Sequence, residues 1–218
     1  MSNEEREANH RSSGEHASAY YDQRWRLYAL RSFGLAMAVL ILIGDPVWRD
    51  HPIIQKSIQF IGAALVIGAV LGRLWSTLYI GGRKNITLMT KGPYSITRNP
   101  LYFFSTVGSV GAGLVFGSLT LGALTGAAVG VILYATSRGE AALLHTHFGS
   151  SYEQYARQVP LFWPQPCRYK EANDTTFDPQ ALKRALGDTI LFLLVIPFAG
   201  AVDLLRHSGL LPRLIMLF

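Results

Sequence analysis

Apolar residues gather in five long runs, Leu27 to Gly44, Ile58 to Ile80, Leu101 to Phe116, Leu119 to Thr136 and Thr189 to Leu205, and most of the charge lies between them. Runs of roughly 17 to 25 such residues cross a hydrocarbon core about 30 Å thick, because a helix satisfies its own backbone hydrogen bonds where water is absent. The pattern predicts an all-α integral membrane protein of about five transmembrane helices. The third run is short. At about 1.5 Å per residue it covers only ~24 Å, so runs three and four predict a tight hairpin that thins the bilayer or ends inside one leaflet. The chain then divides into a flexible polar tail (1–26), two N-terminal spans (27–80), a core (81–164), and a loop with a last span (165–218).

Small residues recur every fourth position in the hairpin, at Ser109, Gly113 and Gly117 and again at Gly122, Gly126 and Gly130. Lipid supplies no hydrophobic drive between helices, so close backbone approach must supply the attraction. The hairpin should turn at Gly117 and Ser118. After run four, Gly149 can close one helix, and Ser150 with Glu153 has the spacing of a capping box that opens another, lasting until Pro160. Leu144, Phe148, Tyr152 and Tyr155 give these pieces an apolar side suited to the membrane face. Trp48, Trp75 and Tyr79 mark span ends at the headgroup layer.

Charge sharpens the topology. The net charge is +6, but the basic residues flank the spans, where the positive-inside rule accounts for them without a nucleic-acid partner. The loops with Arg83, Lys84, Lys91 and Arg98, and later Arg157, Arg168, Lys170, Lys183 and Arg184, are expected in the cytoplasm, with the N-terminus inside and the C-terminus outside. No cleaved signal peptide is expected, since the first 26 residues are polar and mixed in charge. The single Cys167 excludes an internal disulfide or a cysteine metal cluster.

The acids are distributed still more unevenly. Between Asp50 and Glu140 there is no Asp or Glu, while the interval carries Lys56, Arg73, Arg83, Lys84, Lys91, Arg98 and Arg138. A pocket of positive potential, suited to a carboxylate or phosphate, is one reading and topology alone the other. The stretch Gly92-Pro93-Tyr94-Ser95-Ile96-Thr97-Arg98-Asn99-Pro100-Leu101-Tyr102 favours the pocket. Pro100 suits the first turn of a helix and Asn99 its N-cap, so the positive helix end lies beside Arg98, with Tyr102 one turn on. Glu140, just past run four, would face that end in an antiparallel hairpin and pair with a ligand ammonium or with Arg98; a solvated helix-start acid is the plainer reading. His145 and His147 stand two apart on a helix and point to different sides, so no metal is expected.

In order along the chain, Gly92, Tyr94, Arg98, Asn99, Pro100, Tyr102, Arg138, Glu140, Phe148, Gly149, Tyr152, Tyr155, Val159 and Pro160 resemble the pattern of the isoprenylcysteine carboxyl methyltransferases and related membrane phospholipid methyltransferases. The match covers roughly Trp75 to Pro164. It implies a cytoplasmic S-adenosyl-L-methionine pocket around the hairpin, with a lipid or other hydrophobic small molecule as methyl acceptor. Ile86, Thr87, Leu88, Met89, Tyr94, Arg98, Asn99, Pro100, Leu101 and Tyr102 match the stretches around the cofactor, and Arg138 and Glu140 match positions at the reaction centre. Asn99 stands where the family usually has histidine, and Ala141 replaces the second of two glutamates. Sterol reductases open a helix in a similar way, so a membrane reductase using NADPH is the alternative enzyme. An inactive scaffold of the same fold is the non-enzymatic one.

Overall fold

A computed structural model describes residues 28, 31–32, 34–41, 44–80, 87–171, 179–210 and 215–217. The polar tail at 1–26, Arg83, Lys84 and Ile86 lie outside the described residues. Residues 1–40 and 41–218 are two compact units. In the first, the described residues are helical, with α1 over residues 34–40.

The second unit is built on helices. Pro52 opens α2 (Pro52–Ile80), six residues before the apolar run begins, since proline at a first turn gives up no needed N–H. Next come a single turn, α3 (Pro93–Ile96), and the hairpin of α4 (Pro100–Leu114) and α5 (Leu119–Phe148). Then follow α6 (Ser150–Gln158), α7 (Pro179–Leu193) and α8 (Val195–His207). A three-residue parallel pairing of β1 (Gly44–Pro46) with β2 (Ile215–Leu217) sets Gly44 against Ile215, and the buried Arg206 side chain donates to the Ile41 and Gly44 carbonyls beside it. α2 and α5 are each long and apolar enough to cross a membrane, and their exposed Phe60, Leu71 and Val131 present an apolar surface suited to lipid.

The hairpin forms as its glycines predict. Gly117 takes φ 77° in the turn, and Ser118 caps α5 by accepting from the Leu121 N–H at 3.2 Å. A Cβ on Gly113 would strike the Gly122 backbone, and one on Gly122 would come within 2.7 Å of Leu114. Thr125 Oγ1 donates across the seam to the Ser109 carbonyl at 2.7 Å. The opposite side of α4 is equally tight: a Cβ on Gly62 of α2 would stand 2.6 Å from the Val115 nitrogen, and one on Gly111 2.7 Å from the Gly62 carbonyl. α4 is thus fitted between two long helices by small residues on both faces. Arg73, within α2, donates to the Ser105 hydroxyl of α4, which meets the cost of a cation in an apolar helix.

Three expectations change. Run four ends at Thr136, yet α5 continues twelve residues further, to Phe148, because polarity ends a membrane run but does not interrupt helical hydrogen bonding. The capping box does not form: Gly149, at φ 53°, closes α5 and precedes Ser150 directly, no side chain caps α6, and Glu153 bonds His145 at 2.8 Å instead. The last run is two helices meeting at Leu194, since Pro197 has no N–H to offer the Leu193 carbonyl.

Candidate active site

The segment from Lys91 to Asn99 is held by backbone and side-chain bonds on every side. Gly92 takes φ 61° with the Tyr79 ring where a side chain would stand, which only glycine allows. Its N–H reaches the Lys170 carbonyl at 2.8 Å, the Arg98 N–H the Pro160 carbonyl at 2.9 Å, and the Gln165 N–H the Ile96 carbonyl at 2.8 Å. Thr97 Oγ1 donates to the Phe162 carbonyl at 3.0 Å. From α6, Tyr155 donates its phenol proton to the Tyr94 carbonyl at 2.7 Å. The Phe148 to Pro160 stretch therefore braces the loop before α4.

Asn99 occupies the N-cap position of α4 without acting as a side-chain cap. It donates through Nδ2 to the Leu161 carbonyl at 2.9 Å, while its own carbonyl accepts from Tyr102 and Phe103. No side chain closes the helix start, and its positive end is left to whatever fills the space in front of it.

That space is a cavity of about 550 Å³, within the range of small-molecule sites. Thr87, Leu88 and Met89 form one edge; Tyr94, Arg98, Asn99, Pro100, Leu101 and Tyr102 form the floor; Glu140 comes in from α5. Ten of the residues singled out from the sequence thus meet at one place. Arg138 does not: it is exposed and absent from the wall, because two residues along a helix turn it roughly 200° away from Glu140.

Two pairings fix the charged groups. Tyr102 donates its phenol proton to Glu140 Oε1 at 2.6 Å, so the partner of Glu140 is Tyr102 and not Arg98. Arg98 donates through Nη1 to the Tyr152 hydroxyl at 2.9 Å. Two buried atoms of lining residues, the Tyr94 hydroxyl and Arg98 Nε, have no hydrogen-bond partner, and such a group costs roughly 1–3 kcal/mol. Burial chiefly, then the nearby Glu140 carboxylate, pushes the Tyr94 phenol well above the usual range, so it stays protonated and able to donate. Burial likewise raises Tyr155.

The apolar pattern suits Leu144, Phe148, Tyr152 and Tyr155 to the membrane face and gives His147 no role, yet all five line the cavity. With Glu140, the positions 144, 147 and 148 recur at helical spacing along one face of α5, and that spacing was the available signal. Ala141 lies against the buried cluster of Tyr152, Tyr155 and Val159. His145 is exposed and bonded to Glu153, whose carboxyl it holds below the usual range. Among the described residues no group of three or more His, Cys, Asp or Glu could hold a metal ion, and Cys167 is exposed.

The chain belongs to the phospholipid methyltransferase family, whose model matches residues 57–151, from α2 through the hairpin to the first residues of α6. It is 34% identical over 194 residues to the nickel-cobalt-cadmium resistance protein NccN of Alcaligenes xylosoxydans xylosoxydans, a match covering 89% of this chain and 90% of that protein. It is also 33% identical to the cobalt-zinc-cadmium resistance protein CzcN of Cupriavidus metallidurans, over 81% of each. No solved structure matches the chain.

Proposed function

We propose that this is an S-adenosyl-L-methionine-dependent membrane methyltransferase acting on a lipid or other hydrophobic small molecule. The observation that carries the reading is a cavity whose wall holds both the Arg98 guanidinium and the Glu140 carboxylate, each bonded to a tyrosine. A ligand with a carboxylate and an ammonium at one end and an aromatic ring at the other suits such a wall. Arg98, steadied by Tyr152, would take the carboxylate, and Glu140, steadied by Tyr102, the ammonium. Leu88, Met89, Leu144 and Phe148 supply apolar surface for the ring.

When bound, the cofactor supplies a methyl group already activated by its sulfonium. What remains for the protein is to orient the acceptor and exclude water, which few polar residues can do. A carboxylate acceptor is already a nucleophile and needs no base; Arg138, which the resemblance places at the reaction centre, lies outside the cavity and is given no part in this step. An amine or hydroxyl acceptor would give its proton to Glu140.

A membrane setting with five spans and a cytoplasmic site fits the loop charges. Lys91, Arg98, Arg168 and Lys170 lie on segments bonded to one another, and the β1 and β2 pairing sets residues 215–217 against residues 44–46, in the connection read as external. The relatives' names tie them to metal resistance. For this chain we read that tie as methylation of a membrane component, since its clustered chemistry suits a charged organic ligand.

Calorimetric titration of the detergent-purified protein with S-adenosylhomocysteine, alongside NADPH and an Arg98→Ala, Tyr102→Ala variant, tests the reading. Saturable binding of the homocysteine compound, lost in the variant, is expected. Binding of NADPH alone would replace it with the reductase, and silence from both, in folded protein, with the inactive scaffold.

A further inference from the structure

A second cavity, of about 600 Å³, lies on the other side of Tyr155. We propose that it binds the phosphate group of an anionic lipid headgroup, a site separate from the methyl-transfer cavity and independent of that reading.

The chemistry of its wall is one-sided. Lys91, Arg168 and Lys170 line it together with Ser151, Gln154 and Gln158 of α6, and no carboxylate does. Three cations and several neutral donors in one concavity suit an anion with several oxygens. Among the described residues neither Lys91 nor Lys170 has a carboxylate partner.

The cations are carried on a built frame. The Lys170 N–H donates to Ser95 Oγ at 2.9 Å, its carbonyl accepts from Gly92 beside Lys91 at 2.8 Å, and Arg168 Nη1 donates to the Gln158 carbonyl of α6. The cations are therefore drawn together by bonds that do not use Lys91 Nζ or Lys170 Nζ. Ser151, Gln154 and Gln158 share one face of α6 at helical spacing.

The position points to a lipid as the carrier of the phosphate. Tyr169, between the two cations Arg168 and Lys170, lies against Trp75 near the end of the long apolar helix α2, with ring centroids 6.1 Å apart and the planes tilted by 38°. Aromatics at such a helix end mark the headgroup layer, and basic residues there attract anionic lipid.

The full-length protein, purified in neutral detergent with phosphatidylglycerol and phosphatidylcholine at equal amounts, is examined by native mass spectrometry. We expect retention of phosphatidylglycerol over phosphatidylcholine, falling roughly a hundredfold in Lys91→Gln, Arg168→Gln, Lys170→Gln, on roughly fivefold per basic contact. The charge-conserving Lys91→Arg, Arg168→Lys, Lys170→Arg should keep most of it. Displacement of the lipid by inorganic phosphate would show that the phosphate alone is recognised; failure of phosphate to displace it would show that the lipid is required. Equal retention of the two lipids by the wild type, or undiminished phosphatidylglycerol on the folded Gln variant, overturns the site. If the Gln variant does not fold, retention by the wild type that is insensitive to rising salt overturns it as well.

Discussion

The Tyr102 phenol and the Glu140 carboxylate, 2.6 Å apart, join the first turn of α4 to the part of α5 that extends beyond the apolar run. The bond crosses the mouth of the hairpin, so the same contact that orients the carboxylate also ties the two helices. Hydrogen bonds to charged groups contribute roughly 1.5–3 kcal/mol. Tyr102→Phe should therefore lower the thermal stability of the purified protein and weaken S-adenosylhomocysteine binding together, whereas a carboxylate working independently of Tyr102 would leave the binding unchanged.

Arg98 lines the cavity, uses Nη1 for Tyr152 and keeps a buried Nε without a partner. Lysine keeps the charge but cannot serve both directions. Arg98→Lys is expected to weaken cofactor binding by roughly ten- to a hundredfold, the equivalent of one charged hydrogen bond; titration calorimetry reads this directly, and an unchanged affinity would remove Arg98 from the site.

Arg138 is exposed and outside the cavity wall. The expected outcome for Arg138→Ala is an S-adenosylhomocysteine affinity within about twofold of wild type, a change smaller than one hydrogen bond. Any loss should appear only in turnover of the acceptor. A large loss of affinity would show that the loop and α5 rearrange when the cofactor binds.

Gly113 has no space for a side chain because the Gly122 backbone lies against it. Overpacking of this kind costs roughly 1–3 kcal/mol, so Gly113→Val should lower the unfolding temperature clearly. Gly139→Ala, where nothing lies within 4 Å of the added atom, should not. Equal effects would mean that the hairpin is not held by its glycines.

The buried phenols of Tyr94 and Tyr155 have pKa values raised above their ordinary 10.0. The folded state then holds protons that the unfolded chain releases, so their contribution is complete below the unfolded value and is lost as pH rises above it. Denaturation curves should show constant stability up to about the ordinary phenol pKa and then a fall of up to ~1.4 kcal/mol per pH unit for each phenol. Tyr94→Phe should reduce that slope.

Much of the candidate site could be read from the chain because its parts are local. Pro100 after Asn99 sets a helix start beside Arg98 through backbone sterics alone, and four-residue glycine spacing needs only helical geometry to become a hairpin seam. Glu140 stood out because acids are absent for so long before it. The Asn99 side chain, in contrast, turned to the Leu161 carbonyl, a partner 62 residues away that no local rule indicates. Ser150 and Glu153 had the right spacing for a capping box, yet Glu153 found His145, a partner eight residues away that the local motif does not include.

By itself, then, the sequence determined where helices form, the turn of the hairpin and most of the residues gathered at its mouth, since these depend on periodicity, proline and glycine, whose effects reach only a turn or two along the chain. Only the tertiary structure decided that Tyr102 and not Arg98 meets Glu140, that Arg138 faces away, and that Tyr152 and Tyr155 wall a cavity. Those outcomes depend on the angle at which α5 and α6 pass the start of α4, and that angle is set by contacts between residues distant in sequence.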